Sequence, residues 1–185
     1  MGMIKRGVKE HFLANRRLYF IFVFLLFLGF VAGVLFVRLV PEGERGFITS
    51  FCTSGEVSFW GSFWNSIGIN ARLWALVALA GYFKPLRLLS GLTMVIKGFA
   101  LGFTIRFAVI TLGTRGLLLV FVSSLPNILL LLPILIYFCV CSARVRNRGK
   151  WLVRSGFIGA LMAGCSLIDG FVVPIFVKGI MTLFQ

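Results

Sequence analysis

Residues 18–37 run for 20 positions without a charge, and Arg17 and Arg38 stand at the two ends. A helix of that length spans about 30 Å, the thickness of the hydrocarbon layer of a bilayer. A signal peptide would have a shorter apolar region, about 7–15 residues, followed by a small-residue cleavage site. This run is longer and meets no such site, so a retained membrane anchor is expected. The rest of the chain is of one kind with it. Of 185 residues, 59% are hydrophobic and 13% charged, there are 21 Phe, and mean hydropathy is +1.03. A soluble domain is about 45–50% apolar and about 25% charged. A water-facing fold of this length cannot hide so much apolar surface. The expected fold class is all-α: a polytopic integral membrane bundle of about five helices with a cytoplasmic N-terminus.

The expected organisation is a basic cytoplasmic tail over 1–17 and a single transmembrane bundle over 18–183. The spans fall at about 18–40, 63–83, 88–112, 116–143 and 155–181. Between the first two lies a loop over 41–62, punctuated by Gly43, Gly46, Gly55 and Gly61 and holding Glu42, Glu44 and Glu56. Lys84-Pro85-Leu86-Arg87 makes a tight turn, because proline disfavours helix at the residue before it. The fourth span holds Pro126 and Pro133, either of which can kink or break a helix.

A formal net charge of +14 would point to nucleic acid in a soluble protein. Here the cations sit in short clusters between apolar spans, too short to track a phosphate backbone. They read as topology signals and as contacts to anionic membrane lipids. Lys5, Arg6, Lys9, Arg16 and Arg17 precede the first span; Lys84 and Arg87 follow the second; Arg144, Arg146, Arg148, Lys150 and Arg154 follow the fourth. That places twelve on one side against four (Arg38, Arg45, Arg115 and Lys178) on the other.

Arg72, Lys97 and Asp169 fall deep within their spans, where a charge costs about 2.5–3.5 kcal/mol on insertion scales. Asp169 is the one acid within any span, so it is expected to pair with Lys97 or Arg72, the alternative being that each cation snorkels alone. Arg106 lies near the outer end of its span and, nine residues from Lys97, on the opposite helix face. Gly29 and Gly33, Gly98 and Gly102, and Ala160 and Gly164 are each spaced by four, which lets helix backbones approach in lipid. Cys139, Cys141 and Cys165 lie in apolar runs and read as small hydrophobes, and Cys52 has no obvious partner. The one histidine, His11, sits in the basic tail. No Ser-His-Asp set, HExxH, paired carboxylates, metal-ligand cluster or phosphate loop can be assembled, so neither an enzyme nor a cofactor is expected.

Val95-Ile96-Lys97-Gly98, Gly102-Phe103-Thr104, Arg115-Gly116, Phe121-Val122-Ser123-Ser124-Leu125-Pro126-Asn127 and Pro133 form a series that resembles the stage II sporulation protein M family. Asp169 with Pro174 five residues on resembles that family's acid-then-proline pattern in the last span, and Asn70-Ala71-Arg72 weakly resembles its Asn-x-Arg element. The resemblance runs from about residue 65 onward, is specific over the central 40 or so residues, and is only topological at the N-terminus. The chain departs from the pattern after Leu125-Pro126, where Asn127-Ile128 replaces Gln-Asn.

The resemblance implies a non-enzymatic scaffold in the mother-cell membrane at the sporulation septum. There it would anchor and position two peptidoglycan hydrolases, the stage II sporulation proteins D and P, for septal wall dissolution and engulfment of the forespore. The competing reading is a transporter or channel subunit, motivated by the intramembrane charges and the proline-broken fourth span. The split of basic residues yields a direct expectation. Reporter fusions within 144–154 should read as cytoplasmic and fusions within 41–62 as external; an external reading for 144–154 would overturn the five-span topology.

Overall fold

The computed structural model describes residues 12–39, 41, 59–145 and 147–183; for some helical positions, Pro126, Asn127, Asp169 and Pro174 among them, it describes the backbone alone. The basic tail up to His11 and most of the 41–62 loop, with Cys52 and its three glutamates, lie outside the described residues.

The described chain is all helical. α1 spans Arg16–Phe36 and tightens into a 3-10 turn, Val37–Leu39. α2 spans Phe59–Tyr82, followed by a 3-10 turn over Lys84–Arg87. α3 spans Leu88–Pro126, a π-turn occupies Asn127–Leu131, α4 spans Leu132–Ala143 and α5 spans Arg148–Leu183. Three helical stretches, Arg16–Leu39, Pro85–Ile110 and Arg148–Ile168, are long and apolar enough to cross a membrane, and Ile128–Ala143 is a shorter apolar helix. α2 has the length, but Asn65, Asn70 and Arg72 dilute its apolar character.

The expected breaks fall where chain chemistry puts them. Gly113 interrupts the helical geometry of α3 with φ 62° and ψ −142°, separating the stretches expected as third and fourth spans. A side chain at that φ would be strained, so glycine is the residue that serves. The break expected from the prolines is the π-turn between Pro126 and Pro133. A proline within a helix lacks the N–H and crowds the carbonyl four residues back, and a wider turn relieves both.

Two boundaries differ from expectation. α2 begins at Phe59 rather than 63, and the rings of Trp60 and Phe63, three residues apart and 6.2 Å between centroids, meet across the extra turn. α5 begins at Arg148 rather than 155. Asn147 starts it early: its Oδ1 accepts from the N–H groups of Gly149, at 3.0 Å, and Lys150, at 3.4 Å. Arg148, Lys150 and Arg154 therefore ride on a helix and are not in a loop.

Two helix pairs build the bundle. α1 and α3 run parallel and meet backbone to backbone. A Cβ built on Gly29 would land on the carbonyl of Val95, and one on Gly33 on that of Phe99. On the opposing strip, Gly98 faces the carbonyl of Leu26 and Gly102 that of Phe30. The four-residue glycine spacing on both helices thus forms one continuous seam. Phe36 packs at its end against Phe99 and Phe103, at 5.5 Å and 6.5 Å between centroids. Gly164 has no described atom within 4 Å of such a Cβ, so the expected Ala160/Gly164 pair is not a contact of this kind.

α2 and α5 run antiparallel and are joined by two tryptophans. Trp74 Nε1 donates to the carbonyl of Ser155 at 2.9 Å while its ring lies on Gly159. Trp151 Nε1 donates to the carbonyl of Ala78 at 3.0 Å while its ring lies on Gly81. Trp151 also stacks on Phe138 of α4, 5.2 Å between centroids. The central core gathers Phe22, Val77, Met94, Leu131, Leu135, Phe138 and Met162 from all five helices. Cys139, Cys141 and Cys165 are buried.

The seam predicts asymmetric costs. Gly98→Ala meets backbone rather than a movable side chain and should lower unfolding stability in detergent by on the order of 1–3 kcal/mol, with Gly98→Leu worse. Gly164→Ala should be near neutral. Equal stability for all three variants would mean that α1 and α3 do not meet along the glycines.

Candidate functional site

α3 carries a polar stripe at helical spacing: Ser90, Thr93 and Lys97 are buried on one face with Met94. The hydroxyls donate to nearby carbonyls, Ser90 Oγ to that of Arg87 in the preceding turn at 2.6 Å and Thr93 Oγ1 to that of Leu89 at 2.7 Å. The Ser90 carbonyl also accepts a weak 3.5 Å contact from the thiol of Cys139, tying the stripe to α4. Lys97 closes the stripe and is only 9% exposed. It thus stands inside the bundle, next in sequence to the seam glycine Gly98, and not at a lipid-facing position.

Arg72 is exposed on α2, although its neighbour Asn70 is buried. Asn70 Nδ2 donates to Ser166 Oγ of α5 at 2.9 Å, and Ser166 Oγ donates in turn to the Met162 carbonyl at 3.1 Å. This bond fixes the α2–α5 register. Arg72 lies two residues beyond it in one direction along the pair and Asp169 three in the other, an axial offset of about 7.5 Å. A pairing of Asp169 with Arg72 would need the long guanidinium arm to cover that offset. The Asp169 carboxylate itself lies outside the described side chains, as do the side chains of Pro126, Asn127 and Pro174. In the backbone, Pro126 ends α3, Asn127 opens the π-turn, and Asp169 and Pro174 lie on α5.

Of the expected site residues, the fold therefore brings Gly98 and Gly102 together with α1, and places Lys97 beside them. It leaves Arg72 on a different, exposed face. The Asn70–Ser166 bond was missed by sequence reasoning. Its signal was an amide and a hydroxyl in otherwise apolar helices, residues that hydrogen-bond across helices in lipid.

A second polar region, read from sequence as a topology signal and a contact to anionic membrane lipids, has defined geometry. The Lys84–Arg87 turn, the C-terminus of α4 and the N-terminus of α5 meet at one end of the bundle. Arg87 Nη2 donates to the Val145 carbonyl at 2.9 Å. The Arg148 guanidinium lies 5.3 Å from the centre of the Tyr82 ring. Beside them opens a cavity of about 620 Å³, walled by Arg144, Asn147, Lys150, Trp151 and Arg154. Arg154 reaches across it, its Nη1 3.8 Å from the Cys141 sulfur.

The chain matches no protein-family model, no curated protein and no solved structure. The interhelical polar bond gives the test of this geometry. A double-mutant cycle of Asn70→Leu and Ser166→Ala should show a coupling of about 0.6 kcal/mol, with about 1.7 kcal/mol as the ceiling for such bonds in membranes. Additive effects on unfolding in detergent would remove the bond from the α2–α5 interface.

Proposed function

We propose that the chain is a non-enzymatic, five-span membrane scaffold of the stage II sporulation protein M type. Its N-terminus and the basic 84–87 and 144–154 segments face the cytoplasm. It sits in the mother-cell membrane at the septum and holds cell-wall hydrolases, the stage II sporulation proteins D and P, in position for engulfment. The observation that carries this reading is the way the bundle spends its buried polar groups. Asn70 donates to Ser166 across helices and Ser166 to the Met162 carbonyl, Ser90 donates to the carbonyl of Arg87 in the preceding turn, and Thr93 and Ser142 each donate to a carbonyl of their own helix. Polar groups closed upon one another build a rigid anchor, whereas a transport pathway keeps them turned towards water.

The glycine seam supports the same reading. Two helices locked backbone to backbone cannot rock against each other without losing their contacts, which suits a fixed platform. Much of the outer surface remains apolar and available to lipid or to partner helices: Phe20, Phe24, Phe27, Phe121 and Phe157 are all more than half exposed.

The experiment is co-purification. The chain solubilised from sporulating membranes in mild detergent should bring down two peptidoglycan hydrolases, and Gly98→Leu should lose both together with the fold. Recovery of the folded protein alone, with an ion or proton flux in vesicles that Asp169→Asn abolishes, would replace the scaffold by a transporter.

A further inference from the structure

The cationic cavity at the α4–α5 junction has a shape that a topology signal does not require. Arg144, Lys150 and Arg154 wall it, and all three are exposed. No acidic residue occurs in the chain between Glu56 and Asp169, so no carboxylate from this stretch can neutralise them.

Their placement also runs against the helix dipole. The first turn of α5 contains no acid, and Arg148 and Lys150 crowd its positive end, where cations are disfavoured, with Arg154 one turn further on. An anion seated among them would relieve both the mutual repulsion and the clash with the dipole. The backbone donors of Gly149 and Lys150 are already taken by the Asn147 side chain, so the guanidinium and ammonium groups would hold the anion.

The cavity is not closed. Lys150 and Arg154 also border an apolar groove of about 560 Å³ that runs along α5 past Val153 and Phe157, which are 78% and 67% exposed. Cations at one end and an exposed apolar channel leading from them along the helix match a molecule with a charged head and a long apolar tail. A soluble anion would use the first and leave the second empty.

We propose that this junction is a binding site for the phosphodiester head of an anionic glycerophospholipid, gripped by Arg144, Lys150 and Arg154, with an acyl chain lying along Val153 and Phe157. The site rests on the membrane-embedded reading of the chain and is independent of any hydrolase partner. Fixing a lipid here would hold the α4–α5 turn at the headgroup layer.

The test uses the full chain in neutral detergent, offered equal amounts of phosphatidylglycerol and phosphatidylcholine with matched acyl chains, with bound lipid read by native mass spectrometry. Phosphatidylglycerol should be retained in about tenfold excess, as expected for a few cations near a headgroup layer. Arg144→Gln with Arg154→Gln should bring the ratio to parity, whereas Arg144→Lys with Arg154→Lys should keep most of the preference. Arg38→Gln, at the other end of α1, should leave it unchanged. Circular dichroism and gel filtration show that each variant is folded, and carbonate extraction of membranes tests the membrane reading separately. Parity in the wild type, an unchanged ratio in the double Gln variant, or an equal loss in Arg38→Gln would overturn the site. Displacement of the lipid by inorganic phosphate at equal concentration would make it a free-anion site and overturn the lipid assignment.

Discussion

The backbones of α1 and α3 touch, and the rest of the bundle is arranged around that contact. In lipid there is no hydrophobic force between helices, because the tails are as apolar as the side chains. What holds helices together is close packing and interhelical hydrogen bonding. Gly29, Gly33, Gly98 and Gly102 remove the side chains from one strip on each helix, and carbonyls of the partner settle into the space. Because the helices are parallel, the seam also decides that the N-terminal end of α1 and the Lys84–Arg87 turn lie at the same end of the bundle. The α4–α5 junction joins them there through the Arg87–Val145 bond.

The α2–α5 pair solves the same problem with different chemistry. Two tryptophan rings pack against two glycines, and their indole N–H groups donate to helix carbonyls on the opposite helix. A buried indole donor without an acceptor would be costly, so the two bonds fix the rotamers of large rings and thereby the register of the helices. The Asn70–Ser166 bond adds a third point on the same line. Small residue against large ring here, and small against backbone in the α1–α3 seam, are the two ways this chain brings helices close.

Charge is then sorted by the packing. Lys97 is buried inside the bundle beside the seam, while Arg72 is exposed and Arg144, Lys150 and Arg154 converge at the α4–α5 junction. Convergence at a helix N-terminus without acids turns residues that individually signal orientation into a local field of one sign.

Class, helix content and most of the break points were legible in the residues. The uncharged run at 18–37 requires a helix because every backbone group in lipid must bond within its own segment, and the Pro126–Pro133 pair marks a break by steric rules that act locally, while the break expected between 112 and 116 falls at Gly113. The four-residue spacing of glycines was legible too, but as three equivalent pairs. Only the tertiary structure decided that Gly29/Gly33 and Gly98/Gly102 face each other while Ala160/Gly164 does not form such a seam, since spacing along one helix says nothing about which other helix comes to meet it. The starts of α2 and α5 escaped for a related reason. An aromatic pair and an asparagine cap mark helical turns in stretches whose composition reads as loop. The Asn70–Ser166 and Arg87–Val145 bonds join residues 96 and 58 positions apart, and no local rule relates such distant groups until the helices are packed.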